Sequence, residues 1–164
     1  MTSSTVHLTG PLERRDDWRA SSCTIAAAFD VVGKRSSFLL LREAFYGATR
    51  FDEFVRRTEI SEPAAAARLR ELVAAGLLER EDYREPGQRT RPGYRLTEAG
   101  REFFPVLVGL QRWGDRWATE TGDGRVALRH RGCGERVDVV VRCAAGHEVE
   151  PDDLDLTVLP RRGR

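Results

Sequence analysis

The sequence has few of the residues on which disulfide frameworks, metal sites and catalytic dyads depend, and it has no long apolar run. It contains three cysteines and three histidines in 164 residues, and Lys34 is its single lysine. No apolar run approaches the roughly 18 residues that a membrane-spanning helix needs. Three cysteines are too few for the disulfide framework of a small secreted domain. No nucleophile-base pair or phosphate loop is recognisable, so we do not expect an enzyme.

The start of the chain and the overall composition favour a folded cytoplasmic protein. The N-terminal sequence "MTSSTVHLTGPLERRDDW" lacks the basic start and apolar stretch of a secretory signal. Hydrophobic residues make up 40% and charged residues 32% of the chain, which is typical of a globular protein rather than a disordered one. The net charge of +1 indicates no particular partner. The predominance of arginine over lysine fits genome composition better than selection for phosphate binding.

Apolar spacing predicts several short helices in the first half of the chain. The segments are "CTIAAAFDVV", "KRSSFLLLREAFYG", "RFDEFVRRTE" and "SEPAAAARLRELVAAG". In the last of these, Ser61 is a good N-cap and Gly76 marks the end. Its predicted inner face consists of Ala65, Leu69 and Leu72, so its outer face carries little except alanine and Arg70.

A hairpin and a long helix are predicted next. Residues 77–83 and 94–97 are compatible with strands and flank a tip rich in proline, glycine and arginine. Thr97 then caps a helix over residues 98–120, and Pro105 predicts a bend near its start. Short helices followed by a hairpin are typical of a winged helix-turn-helix, in which the second helix of the pair enters the major groove. The same elements also build modules that bind no DNA.

The segments "CTIAAAFDVVGKRSSFLLLREAFYGATRFDEF", "ISEPAAAARLRELVAAGLLERE" and "YRLTEAGREFFPVLVGLQRWGDRW" resemble the HxlR family of bacterial transcription regulators. The resemblance spans roughly residues 23–117. It implies a homodimeric winged-helix DNA-binding protein that dimerises through its first helix and the long helix after the wing. The chain departs from the family pattern where Pro63, Ala66 and Ala67 replace more polar residues, and in its wing sequence "GQRTRPGY".

The candidate DNA-binding residues lie on helix 61–75 and on the wing 84–93. Arg70 has the donors to bind guanine bidentately or to hold a phosphate, whereas Arg68 is as well placed to pair with Glu71 or Glu43. Alanine methyl groups can pack on thymine methyl groups, and the wing arginines can contact phosphate or remain solvated. The candidates are Ser61, Ala66, Ala67, Arg68, Arg70, Arg89 and Arg91.

The resemblance also implies roles for an apolar set and for one cysteine. The dimer interface would consist of Phe29, Phe103, Leu107, Leu110, Trp113 and Trp117. The alternative is that the stripe on the long helix is intramolecular core. Cys23 opens the first helix, where helix amides lower the pKa of a thiol and Arg19 would be one turn away in a continuous helix. The resemblance implies that a cysteine at this position acts as a switch that responds to oxidants or electrophiles. The alternatives are that Cys23 is simply buried as a packing residue, or that it contacts a ligand.

The segment after Glu120 is a predicted β-rich appendage with a possible structural zinc site. Its candidate ligands are His130, Cys133, Cys143 and His147, spaced as H-x2-C and C-x3-H. Two thiolates and two imidazoles form a closed tetrahedral set that suits zinc, and strands are predicted in "RVDVVV", "HEVEP" and "LDLTVL". The alternative is a small hairpin with two reduced cysteines facing its core.

Together these observations predict an α+β protein: a winged helix-turn-helix domain, a long C-terminal dimerisation helix and a small β-rich appendage. The predicted divisions are a polar arm (1–20), the DNA-binding and dimerisation domain (21–120), the appendage (121–160) and a basic tail (161–164). The predicted partners are double-stranded DNA, a second copy of the chain and a small-molecule or electrophile effector, with no membrane. The rival hypothesis is a winged-helix interaction or ligand-binding module that no longer reads DNA sequence.

Overall fold

The computed structural model describes residues 5–14, 16, 19, 21, 23–84, 87, 91–120, 124 and 126–159. The chain forms two compact units, one of Ala27–Asp138 and one of Met1–Ala26 with Val139–Arg164. In chain order, the described elements are β1 (His7–Leu8), α1 (Thr24–Val32), α2 (Arg35–Phe45), α3 (Phe51–Thr58), α4 (Glu62–Ala74), β2 (Leu78–Arg80), β3 (Tyr94–Leu96), α5 (Glu98–Glu102), α6 (Phe104–Trp117) and β4 (Asp155–Leu156). Short 3-10 turns cover Gly10–Glu13 and Pro151–Asp153.

The hydrophobic core of unit Ala27–Asp138 lies among α2, α3, α4 and the β2–β3 hairpin. Its fully buried large residues include Leu40, Leu41, Phe54, Leu69, Leu72 and Leu78. Phe54 meets Tyr94 edge to face, with ring centroids 5.9 Å apart. Ala65 is also fully buried, so the predicted inner face of α4 is confirmed. Each buried large side chain contributes about 1.5–3 kcal/mol of hydrophobic free energy.

Sharp turns set the angle at which α4 leaves its neighbours. Glu59, at the end of α3, has φ 56°, and it is the one non-glycine residue with positive φ in the described part of the chain. Gly76 follows α4 with φ 73°, and the Leu77 N–H donates to the Leu72 carbonyl at 3.0 Å. A left-handed residue at this position ends a helix, which is why glycine is favoured there.

The β2–β3 hairpin forms where the sequence predicts it. The strands are antiparallel, with Leu78 opposite Leu96, and an isolated bridge between Tyr83 and Arg91 extends the pairing towards the tip. Thr97 then joins the hairpin to α4 and α5. Its hydroxyl donates to the Gly76 carbonyl at 2.5 Å and accepts from the Gly100 N–H at 3.0 Å. The predicted cap at Thr97 is confirmed.

The long helix predicted after the wing is interrupted. α5 ends at Glu102 and α6 begins at Phe104, with Pro105 in its first turn. Proline lacks an N–H and fixes φ, so it is tolerated in the first turn of a helix but not in its interior. The bend predicted at Pro105 is therefore present, but it divides the segment into two helices.

The segment after α6 remains attached to that helix up to Asp138. The side-chain amide of Gln111 donates to the Val126 carbonyl at 2.9 Å, and Arg112 holds Asp138 with two hydrogen bonds of 3.2 and 3.1 Å. These contacts lie within the compact unit that ends at Asp138, and the boundary at residue 121 stays a prediction.

The other unit pairs the N-terminal and C-terminal segments. β1 runs parallel to β4, with His7 opposite Asp155, and their side chains meet at 2.9 Å. Residues 7–8 of the predicted arm are thus held by a strand. Trp18, which we expected to anchor the arm, lies outside the described residues, as does the tail 161–164.

The β-rich appendage is only partly present. Within the described residues after α6, regular strand pairing is confined to β4, and isolated bridges join Arg129 to Arg136 and Arg142 to Glu148. The strand predicted for "RVDVVV" is wrong, because these residues form no regular strand in the structure and Arg136 takes part only in an isolated bridge. Val139, Val140 and Val141 are all exposed, so their apolar character does not reflect a buried sheet face. In the described residues, no helix is long and apolar enough to cross a membrane.

Candidate nucleic-acid interface

The outer face of α4 is exposed and carries small side chains. Pro63, Ala64 and Ala74 are exposed, and Ala66 and Ala67 are half-buried along its flank. Leu69 and Leu72 on the opposite side anchor the helix in the core. A face built from methyl groups allows a helix backbone to approach another surface closely.

Ser61 occupies the N-cap position of α4 without capping it through its side chain. Its carbonyl accepts the first intrahelical bond from the Ala65 N–H at 2.8 Å, but its exposed hydroxyl makes no cap hydrogen bond. Helix N-terminal amides carry partial positive charge and bind phosphate oxygens well.

The arginines of α4 have different environments. Arg68 is half-buried and pairs with Glu71, which also receives Lys34 Nζ at 3.5 Å. Glu43, the other partner considered for Arg68, instead accepts two hydrogen bonds from Arg42, at 3.0 and 2.7 Å. Arg70 is exposed and has no ion pair with any other described residue.

Most other charges near α4 are neutralised locally. On α3, Arg56 pairs with Asp52 at 3.6 Å and Arg57 with Glu53 at 2.9 Å. On the hairpin, Arg95 contacts Glu79 at 2.7 Å, and this hydrogen bond, followed by the charge of Glu79, raises the pKa of Arg95. These pairs explain how an arginine-rich chain presents little net positive charge on this side.

Of the two wing arginines predicted to contact DNA, the structure describes Arg91. Arg91 is exposed, and its backbone forms two hydrogen bonds of 2.9 Å with Tyr83. The guanidinium of Arg50 lies 4.8 Å from the centroid of the Tyr83 ring, so a cation–π contact braces the base of the wing. Arg89, the other wing candidate, lies outside the described residues.

Cys23 is a free, half-buried thiol immediately before α1. The proximity predicted for Arg19 depended on a helix continuing back to residue 19. That condition is not met, because α1 begins at Thr24 and Arg19 precedes it in a non-helical conformation.

The apolar residues predicted for a dimer interface separate into two groups. Leu107 is only 6% exposed and Phe103 packs on Phe38 with ring centroids 5.4 Å apart, so both pack within the chain's own fold. The others are largely exposed: Phe29 62%, Leu110 49%, Trp113 60% and Trp117 65%. Val106, which belongs to the same apolar stripe, is also exposed.

The candidate zinc ligands form close pairs at two tight turns. His130 Nδ1 lies 3.3 Å from Cys133 Sγ, and Cys143 Sγ lies 3.7 Å from His147 Nδ1. Glycines with positive φ, Gly134 at 79° and Gly146 at 89°, form these turns. Across the residues that the structure describes, no group of three or more His, Cys, Asp or Glu side chains has the arrangement of a metal site. The four-ligand zinc site stays a prediction.

The order of α2, α3, α4 and hairpin, with α4 anchored on one side and exposed on the other, defines a winged helix-turn-helix protein. The family model described as HxlR-like helix-turn-helix matches residues 31–122, more than half of the chain. The chain therefore belongs to the HxlR family.

Similar proteins agree with this assignment. The chain is 39% identical over 127 residues to Rv3095 of Mycobacterium tuberculosis, an uncharacterised HTH-type transcriptional regulator, covering 77% of this chain and 79% of the relative. The crystal structure of PA1607, a proposed transcription factor, has a TM-score of 0.74 and 33% identity, and the match covers 87% of this chain and 97% of PA1607. The redox regulator HypR in its oxidised form has a TM-score of 0.52 and 32% identity, covering 57% and 95% of the two chains.

Proposed function

We propose that the protein is a DNA-binding transcription regulator that binds a palindromic operator as a homodimer, through helix 61–75 and the wing 84–93. The observation that carries the proposal is the exposed face of α4, which combines small side chains with the guanidinium of Arg70, which forms no ion pair with another described residue. One side of α4 is buried in the core, and the other side carries mainly small apolar side chains. Such a face can enter the major groove of DNA closely, and it gains little from contact with water.

In this arrangement α4 reads the major groove chiefly by close approach. Ala66 and Ala67 present methyl groups that can pack against thymine methyl groups, and Arg70 can donate a bidentate pair to guanine. Ser61 and the first amides of α4 hold a phosphate and fix the helix register. Arg68 supports the helix through Glu71 and contributes less to recognition.

The wing supplies backbone contacts. Arg91 is exposed next to the Tyr83 pairing, and the bracing of Tyr83 by Arg50 limits the movement of the wing base. Arg89 would act in the same role. Because neighbouring charges are largely neutralised, binding depends on a few phosphate contacts per subunit.

A second copy of the chain completes the proposed regulator. Several large apolar residues of α1 and α6 are exposed, including Phe29, Trp113 and Trp117. Single exposed apolar residues are normal on a protein surface, but a group of them indicates an interaction surface. Burying them in a two-fold interface places two α4 helices on one side of the dimer. Such a dimer binds half-sites about one helical turn apart.

Footprinting of the DNA upstream of the protein's own gene tests this proposal. We expect protection of a two-fold related site whose half-sites are separated by about 10 base pairs. An absence of protection there, together with no binding to any duplex at low salt, would refute it.

The rival function is an interaction module that has lost DNA reading. The neutralisation of the arginines on α3 and β3 by Asp52, Glu53 and Glu79 favours it. It predicts that the dimer binds neither upstream DNA nor random duplex at low salt, whereas the regulator binds both, with the upstream DNA preferred.

We also propose that Cys23 is a thiol switch and that zinc stabilises the C-terminal turns. HypR is described as a redox regulator in oxidised and reduced forms, and Cys23 is a half-buried thiol beside the apolar helix α1. Mass spectrometry after mild diamide treatment should detect an adduct or an intersubunit bond at Cys23; a thiol that stays free rejects the switch. Metal analysis of protein purified without added zinc should give about one zinc per chain, and a content near zero rejects the site.

A further inference from the structure

A cavity of about 600 Å³ lies between α2, α6 and the segment that follows α6. This volume is within the range of small-molecule sites in proteins. Apolar side chains from all three segments line the cavity, namely Phe38, Leu39, Leu107, Leu110 and Val126. Leu110 is 49% and Val126 is 56% exposed, so an apolar ligand in the cavity would remove apolar surface from water.

Among the described residues that line this cavity, no charge is left for a charged ligand to pair with. Arg42 and Glu43 both line it, but they hold each other through hydrogen bonds of 3.0 and 2.7 Å. Asp115 also lines it, but its Oδ2 atom is closed to water. The charges that offset Asp115 border a neighbouring cavity and belong to Arg112, Arg116 and Arg136. A charged ligand would lose its hydration here without gaining a counter-ion, so the lining favours an uncharged compound.

The Tyr46 phenol gives the cavity a directional polar group. Its side chain lines the cavity, and its hydroxyl forms no hydrogen bond with another described residue. Burial raises the pKa of the phenol above its ordinary value of 10.0; the charge of Arg42 opposes this rise, and the charges of Glu43 and Asp115 add to it. The phenol is therefore protonated near neutral pH and can donate a hydrogen bond to a ligand.

The cavity lies on a different side of α6 from the exposed tryptophans. Leu107, Gln111 and Asp115 line the cavity and are spaced by four residues, so they share one side of the helix. Trp113 and Trp117 are also four residues apart, but they are offset by two positions from that row, which places them about half a turn away. A partner copy that packs on the tryptophans therefore does not by itself fill the cavity.

We propose that this cavity is the site of a small-molecule effector, an uncharged aromatic compound that carries a carbonyl or a similar hydrogen-bond acceptor. The body of the ligand contacts Phe38, Leu39 and Leu110, and an aromatic ring gains from packing on the ring of Phe38. The acceptor receives a hydrogen bond from the Tyr46 hydroxyl. Acids and amines of the same shape bind less well, because each brings a charge into a cavity that supplies no counter-ion.

The cavity is positioned to affect α4. Phe38 and Leu39 line the cavity from α2, while Leu40 and Leu41 of the same helix pack into the core with α3 and α4. A ligand that moves α2 therefore moves the support of the recognition helix. Calling the ligand an effector rests on the proposed function; the existence of the site does not.

Isothermal titration calorimetry on the full chain tests the site with probes that share one ring system. 3-Acetylindole is uncharged and has a carbonyl acceptor, 3-ethylindole lacks the acceptor, and indole-3-carboxylate and tryptamine carry opposite charges. We expect 3-acetylindole to bind about three- to tenfold more tightly than 3-ethylindole, which is the effect of one hydrogen bond between neutral groups. Both charged probes should bind at least about tenfold more weakly than 3-ethylindole.

Two pairs of matched variants locate the site. Tyr46→Phe should remove the preference for 3-acetylindole and leave the binding of 3-ethylindole, whereas Tyr83→Phe, outside the cavity, should retain the preference. Val126→Glu places a carboxylate in the apolar wall at an exposed position, so it should weaken the binding of both uncharged indoles. Val140→Glu, at a similarly exposed valine outside the cavity, should not. The circular dichroism spectra of all four variants should stay those of the folded protein.

The inference is overturned if 3-acetylindole shows no binding at 1 mM (roughly the weak limit of specific affinity), if a charged probe binds as tightly, or if Tyr46→Phe keeps the preference. Binding of 3-acetylindole by Trp113→Ser but not by the unchanged protein would show that a second copy covers the cavity, and would also overturn it. Protein that binds operator DNA but no 3-acetylindole overturns this inference alone, whereas protein that binds 3-acetylindole but no DNA overturns the proposed function alone.

Discussion

Replacing Arg70 by alanine removes an exposed guanidinium of α4 that is paired with no described carboxylate. Because no ion pair with a described residue is lost and alanine favours helices, the free energy of unfolding should change by less than about 0.5 kcal/mol. The loss should fall on DNA binding. A bidentate arginine–guanine pair discriminates by about 1–3 kcal/mol, so a dimer that loses two such pairs should bind its operator roughly thirtyfold more weakly, or worse.

Fluorescence anisotropy with a labelled operator duplex measures this loss, and Arg68→Ala is the matched control on the same helix. Arg68 is half-buried and already paired with Glu71, so its replacement should weaken DNA binding less than the loss of Arg70 does. If Arg70→Ala binds the operator as tightly as the unchanged protein, or if the two variants lose equal affinity, α4 does not read DNA through Arg70.

Further predictions concern stability and assembly. Phe54→Ala should lower the free energy of unfolding by about 3–5 kcal/mol in urea titrations, because Phe54 is fully buried against Tyr94; a loss below about 1 kcal/mol would contradict the core assignment. Glu53 accepts hydrogen bonds from the backbone N–H groups of Thr49 and Arg50, and these bonds lower the pKa of its carboxyl below the ordinary value of 4.5. The contribution of Glu53 to stability is therefore full above pH 4.5 and is lost as the pH falls through the lowered pKa. Glu53→Gln should be less stable than the unchanged protein at pH 7 but not at pH 2. Thermal unfolding at the two pH values measures this difference. Trp113→Ser should shift the protein from dimer to monomer in sedimentation velocity at micromolar concentration, and an unchanged dimer would exclude this face of α6 from the interface.

The sequence predicted those helices, helix ends and turns that are specified by residues close together in the chain. The spacing of Ala65, Leu69 and Leu72 reports the buried side of α4 because a helix repeats every 3.6 residues. Gly76 and Thr97 mark boundaries because each meets a local backbone requirement, a left-handed conformation in one case and an N-cap in the other. The hairpin followed from turn residues between two strand-compatible runs.

What the sequence did not predict depends on contacts between distant segments. The stripe of α6 gave no means of separating the buried Leu107 from the exposed Trp113, because the buried part is decided by packing on α2. The three consecutive valines after Asp138 favour a strand by residue type, but the described structure assigns no ladder strand to them; the Val149 N–H donates to the Val141 carbonyl at 3.1 Å, beside the isolated bridge of Arg142 and Glu148. Pairing of β1 with β4 joins the two ends of the chain, which no local pattern encodes.

In the candidate site, too, local features could be predicted from the sequence, whereas side-chain pairing could not. Arg70 was identified by its position on the helical wheel. For Arg68 the sequence left Glu71, Glu43 and DNA as alternative partners, and the structure pairs it with Glu71.

The most direct test of the account is the equilibrium affinity of the purified protein for DNA upstream of its own gene, compared with a scrambled duplex of equal length across a salt series. We predict that the upstream DNA binds at least about a thousandfold more tightly at physiological salt. We also predict that affinity for both duplexes falls as salt rises, in line with a small number of phosphate contacts. Equal affinity for the two duplexes, or no binding to either at low salt, would contradict the claim that this protein is a sequence-specific regulator.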